Sequence, residues 1–83
     1  MGSVEIEDLL ASATPAGLRL LNWVASDTPF EILVILDDAK RQTGIVRISV
    51  PFLEECRTDI QRLRETLVLG HMAAIVTTEG WGF

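Results

Sequence analysis

Apolar and polar positions divide the chain into five segments. The breaks fall at Thr14-Pro15, Asp27-Thr28-Pro29, Thr43-Gly44, Val50-Pro51, Gly70 and Gly80, residue types that punctuate regular structure. In the first segment, Ile6, Leu9, Leu10 and Ala13 recur at helical spacing. Ser3 stands ready to cap, and Glu5, Glu7 and Asp8 occupy the first turns, where the helix dipole favours negative charge. The spacing predicts a helix from Ser3 to Ala13.

The second segment opens on Thr14 as N-cap and Pro15 at the first helical position, where its missing N–H costs nothing. Leu18, Leu20, Leu21, Trp23, Val24 and Ala25 follow, and the polar residues Arg19, Asn22 and Ser26 are spaced three and four apart. This predicts a second helix, apolar nearly all round. Such a helix is buried or meets neighbours on two sides.

Phe30 to Leu36 reads as a central strand: short, rich in β-branched and aromatic residues, with no polar alternation after Glu31. Asp37 to Gly44 is a polar connection. From Ile45 to Val50 the pattern alternates, with Val46, Ile48 and Val50 on one side and Ile45, Arg47 and Ser49 on the other, so a hairpin is expected. Phe52, Leu53, Cys56, Ile60, Leu63 and Leu67 form one helical stripe with charges facing away, which predicts a helix over 51–69 stopped by Gly70. Ile75, Val76, Thr77 and Thr78 favour a last strand over 72–78.

The expected fold is therefore α+β, a small helix-helix-strand-strand-helix-strand sandwich. Its three-stranded, mostly antiparallel sheet would have Phe30–Leu36 in the middle. The Phe52–Leu67 stripe would cover one face and the Leu18–Ala25 helix the other. It is expected as a single domain over 1–83: a helical segment (1–29), a hairpin (30–50), a helix (51–69), a strand (72–78) and an aromatic tail (79–83).

Composition narrows the functional classes. The chain has 83 residues, seven basic and twelve acidic, for a net charge of −5. That balance disfavours nonspecific nucleic-acid binding, which draws its affinity from Lys and Arg. The strongly apolar run Ile32–Leu36 is far short of the ~20 residues that span a bilayer. The lone cysteine, Cys56, allows no internal disulfide, and small secreted domains usually need them. No basic start and apolar stretch marks a signal peptide, and Ile6 stands where a myristoylation pattern needs Ser or Thr. A cytoplasmic location follows as the expectation. The aromatic final residue is compatible with a piece of a longer chain.

Candidate chemistry is sparse. Asp37-Asp38 ends the central strand, but adjacent strand residues point to opposite faces and do not easily grip one ion. His71 has no second His or nearby Cys at metal-ligand spacing, and it follows Gly70 at an expected helix end, where a cation is welcome. Cys56 lies on an apolar stripe and reads as a small hydrophobe. No phosphate loop, nucleophile elbow or dinucleotide fingerprint is present. The segment Leu9-Leu10-Ala11-Ser12-Ala13-Thr14-Pro15-Ala16-Gly17-Leu18-Arg19-Leu20-Leu21 resembles the opening of a helix-turn-helix in some winged-helix repressors. A recognition helix should follow, yet after Ser26 the chain enters a strand, and Arg19 is the only base in that region. Lys40, Arg41, Arg57, Arg62 and Arg64 are interleaved with Glu and Asp and read as a mixed solvated face.

The leading expectation is a noncatalytic protein-interaction module, a regulator or inhibitor of antitoxin, immunity or phage-encoded type. It would dock on a protein partner or form a homodimer, with no cofactor, metal or small-molecule substrate. Mean hydropathy of +0.32 is high for so small an interior. Leu20, Trp23, Trp81 and Phe83 are the expected partner-binding residues, since aromatics are enriched where interfaces carry their energy. The alternatives are a helix-turn-helix transcriptional regulator and a small enzyme or metal-dependent domain using Asp37, Asp38, Cys56 and His71.

Overall fold

A computed structural model describes residues 1–80, and the side chains of 1–77. Helix α1 (Ser3–Ala13) leads into three strands, β1 (Leu18–Ala25), β2 (Glu31–Asp38) and β3 (Thr43–Ser49). A short helix α2 (Val50–Glu55), a 3-10 turn (Cys56–Thr58) and the long helix α3 (Ile60–Gly80) follow. The strands form one antiparallel sheet in the order β1-β2-β3. The expected α+β class, the three-stranded antiparallel sheet and the central place of the Phe30–Leu36 segment all hold.

Two elements of the expected order do not. The first is the Leu18–Ala25 segment, which is an edge strand rather than a second helix. Its pairing with β2 slips between Leu20 and Asn22, leaving Leu21 as an extra residue. On either side of that bulge the pattern alternates: Leu18 and Leu20 half-buried around exposed Arg19, then Trp23 half-buried between exposed Asn22 and Val24. One inserted residue flips the phase of a period-two pattern. The merged pattern then mimics the three-and-four spacing of a helix.

The second correction is 72–78, expected as a strand and found as the second half of α3. Gly70 does not stop the helix. It lies where α3 crosses β3, and a Cβ there would meet Val46 Cγ1 at 2.7 Å. The glycine is kept for close approach of helix to sheet, and Met72, Ala73 and Ala74 carry the helix on. The expected single helix over 51–69 is instead two. Ser49 caps α2, its Oγ accepting from Phe52 N at 3.2 Å, with Pro51 in the first turn. Asp59 leaves helical geometry (φ −147°, ψ 74°) and caps α3, its Oδ1 accepting from Arg62 N at 3.2 Å.

The helices lie on one face of the sheet. Ile32, Val34 and Leu36 of β2 and Val46 and Ile48 of β3 point into a core completed by Ile6, Leu10 and Ala13 of α1, Leu53 and Cys56, and Leu63 and Leu67 of α3. Arg64 ties α1 to α3, donating from Nε to Ala13 O and from Nη2 to Ser12 O, each at 3.1 Å. It thereby satisfies carbonyls that the end of α1 leaves open. Arg57 of the 3-10 turn pairs with Glu5 in the first turn of α1. Since the segment expected to cover the second face is itself a strand, Leu33 and Ile35 of β2 are only half-buried.

Candidate functional site

The candidate site is a surface, built from the sheet face and the β3 edge that no other described residues cover, and the outer side of α3. Across the open face, Leu33 is paired with Val24 and Arg47, and Ile35 with Asn22 and Ile45. Val24 and Ile45 are 41% and 55% exposed. An ion pair closes each end of this band. At one end Arg19 Nη2 donates to Asp37 Oδ2 at 2.8 Å; at the other Arg47 Nη1 donates to Glu31 Oε1 at 2.8 Å. The band is thus apolar in the middle and charged at its ends, the anatomy of a docking patch.

Beside the band runs a groove of about 860 Å³ between β3 and α3, lined by Ile45 and Arg47 from the strand and Thr66, Leu69, Ala73 and Thr77 from the helix. Leu69, Met72 and Val76 recur at three and four residues along α3 and are 56–66% exposed. The helix buries Leu63, Leu67 and His71 on its other side. From Thr66 to Thr78 it carries no charged residue. A helix apolar on two sides and packed on one leaves a face without a partner.

Phe30 is a further exposed aromatic, 78% accessible at the turn between β1 and β2. Its φ of 60° is in the left-handed region, which disfavours a bulky residue. Its carbonyl accepts from Val50 N at 2.7 Å, so the strained residue is held by the β3–α2 junction.

The residues picked out in the sequence are distributed as follows. Leu20 and Trp23 are half-buried on β1 and packed against the core. Trp81 and Phe83 lie outside the described residues. Ile45 is exposed on the side of β3 where the alternation put it, while Val24, Leu69, Met72 and Val76 were missed as surface residues. The signal for them was the alternation resumed after Leu21 and the uncharged second half of α3, both obscured by the misplaced elements.

Asp37, Asp38, Cys56 and His71 each serve a separate structural contact. Asp37 is buried on the Arg19 side of the sheet, and its Oδ1 has no hydrogen bond among the described residues. Asp38 Oδ1 accepts from the backbone N–H of Lys40 and Gln42, each at 2.9 Å, shaping the β2–β3 loop. The two carboxylates therefore turn to different neighbours, and share only the wall of a cleft of about 290 Å³ with Arg19 and Arg41. Cys56 is fully buried; burial pushes its thiol pKa up, with Arg62 opposing and Asp59 and Glu55 adding to the rise. His71 is not at a helix end, as expected, but buried mid-helix, where its Nε2 meets Gln42 O at 2.9 Å. It donates there, since a carbonyl only accepts. Among the described residues no group of three His, Cys, Asp or Glu is placed to hold a metal ion, and no helix is long and apolar enough to cross a membrane.

The helix-turn-helix likeness loses its second helix, because Leu18–Ala25 is strand β1. Arg57 and Arg62 lie on a solvated face, as expected, and pair there with Glu5 and, at 3.3 Å, with Glu55, Arg62 also standing 5.0 Å from the centre of the Phe52 ring, while Arg64 is half-buried and bonds the end of α1. Comparison of the chain with protein-family models, with curated proteins and with solved structures gives no match.

Proposed function

We propose that this chain is a noncatalytic protein-interaction module, a small regulator or inhibitor that works by docking on a protein surface or on a second copy of itself. The observation that carries this reading is the set of large apolar side chains left outside the core. Val24, Ile45, Leu69, Met72 and Val76 are 41–66% exposed and cluster on the uncovered sheet face and outer α3. Val24 and Ile45 lie on the open sheet face and Leu69, Met72 and Val76 on α3, and large apolar side chains grouped on a surface mark interaction sites. Leu20 and Trp23 contribute from the rim of the sheet, each offering its uncovered side while resting on the core. Trp81 and Phe83, which lie outside the described residues, are proposed with them on the ground of the sequence alone. With one cysteine, buried and unpaired, the setting is cytoplasmic.

Protein is favoured over nucleic acid as partner by the cations. Five of the seven, Arg19, Arg47, Arg57, Arg62 and Arg64, already bond acceptors within the chain, and a net charge of −5 repels phosphate.

The test compares the native protein with a surface variant carrying Val24→Lys, Leu69→Glu and Val76→Glu. Native protein retains a protein partner from lysate or self-associates in light scattering. The variant loses that association with its far-UV dichroism unchanged. A native protein that is monomeric, retains nothing and behaves as the variant does refutes the reading.

A further inference from the structure

Resting on that reading, we infer that the occupant of the β3–α3 groove is a second copy of this chain, paired edge to edge through β3. The argument begins with backbone direction. Val50 N donates to Phe30 O at 2.7 Å, in register with the β2–β3 ladder, where Ile48 faces Ile32 and Val46 faces Val34. Partners in an antiparallel ladder alternate between bonded and non-bonded pairs. Gly44, Val46, Ile48 and Val50 therefore turn their N–H and C=O groups to β2, while Thr43, Ile45 and Arg47 turn theirs to the open edge.

The two edges of the sheet differ. β1 carries the Leu21 bulge, a device that twists an edge away from pairing. β3 has seven residues in unbroken register with β2, without proline or bulge, and Arg47, its single charge, is already paired with Glu31. It lacks the usual safeguards of an exposed edge.

A strand of this sequence suits its own copy. A two-fold axis at Ile45 sets Ile45 against its counterpart and Thr43 against Arg47 of the second copy, so no like charges face each other. The three bonded pairs supply about six backbone hydrogen bonds and join two sheets into one of about six strands. α3 lies along the lip of the groove, so that exposed Leu69 and Ala73 face the other copy beside the joined strands. The seven-residue strand is about 23 Å long, and the α3 layer beside it adds side-chain burial to the strand pairing. The contact is isologous and closes at two copies.

The test uses the full chain at several concentrations, with mass from light scattering and amide hydrogen exchange. A dimer of twice 9.2 kDa is expected, with the amides of Thr43, Ile45 and Arg47 protected. Ile45→Lys and Leu69→Glu, each on an exposed position, raise the dimer dissociation constant at least about tenfold and release those amides. Leu33→Lys, in the middle of the open sheet face, leaves the dimer intact. A native chain that stays monomeric overturns the inference. So does a dimer in which these amides exchange freely, or one broken by Leu33→Lys and indifferent to Ile45→Lys. A monomer that captures another protein, and loses it on Leu69→Glu, overturns the second-copy inference while leaving the interaction-module reading standing. A monomer that captures nothing overturns both.

Discussion

Replacing Gly70 by alanine lowers stability, although alanine is the better helix former. The added Cβ would stand 2.7 Å from Val46 Cγ1 and 3.0 Å from Cγ2, where carbon atoms in contact sit ~3.5–4.0 Å apart. Val46 has little freedom to yield, being 5% exposed and packed within the core cluster. Overpacking of this kind costs ~1–3 kcal/mol, against ~1 kcal/mol regained from helix propensity. The net expectation is a loss of about 1 kcal/mol, or a fall in Tm of ~4–8 °C for a domain of this size. The decisive comparison is the same substitution in a Val46→Ala background. There both clashing methyls are gone, and the nearest remaining atom is the residue-46 Cβ at 3.4 Å. In that background Gly70→Ala should stabilise by up to ~1 kcal/mol, so the sign inverts and the coupling between the two sites reaches about 2 kcal/mol. Urea unfolding of the four proteins, followed by far-UV dichroism, measures the cycle. A stabilising Gly70→Ala in the native background, or equal effects in both, would show that α3 does not press on β3 at this crossing.

Three further outcomes are expected. Phe30→Asn should raise stability by ~0.5–1 kcal/mol, because asparagine tolerates the left-handed φ of 60° and Phe30 buries little surface; a drop in the urea midpoint would mean that the ring packs usefully. Arg64→Ala should cost ~1–2 kcal/mol, since it frees the carbonyls of Ser12 and Ala13 and loosens α1 from α3. The assay is the urea midpoint together with faster amide exchange confined to α1, and unchanged exchange there would contradict the capping role. The Cys56 thiol, raised by burial, adds a pH dependence whose sign is fixed. The unfolded chain ionises its thiol first, so the contribution is fully present below the ordinary thiol pKa of ~8.5 and is lost as pH climbs through the raised native value. Native protein should therefore lose stability relative to Cys56→Ala as pH rises above the ordinary thiol pKa, and parallel curves for the two proteins would refute it.

Ser3–Ala13, the hairpin on either side of Asp37–Gly44 and the stripe from Leu53 to Leu67 were all legible in the chain, because each carries a local signal. In α1 and at the start of α3 that signal is apolar spacing at helical period; the caps were not legible, since Ser3 is the first residue of α1 behind Gly2 and makes no capping bond, and Asp59 breaks what reads as one continuous helix. In β3 it is strict alternation, matched residue for residue by burial. The central place of β2 was legible too, from its apolar run, but the cover on both faces which that run implies is not found, and Leu33 and Ile35 stay half-buried.

What tertiary structure decided was the identity of β1, the length of α3 and hence the surface that stands open. Leu18–Ala25 has no partner in its own sequence; it becomes a strand because pairing with β2 satisfies its backbone, and the Leu21 bulge conceals its period. Gly70 is a helix stop in isolation but a contact residue once Val46 lies against it. Local pattern records which side chains prefer to leave water. Which of them find room to do so depends on the order in which distant segments stack, and here that order leaves one sheet face and the β3 edge without cover from the described residues.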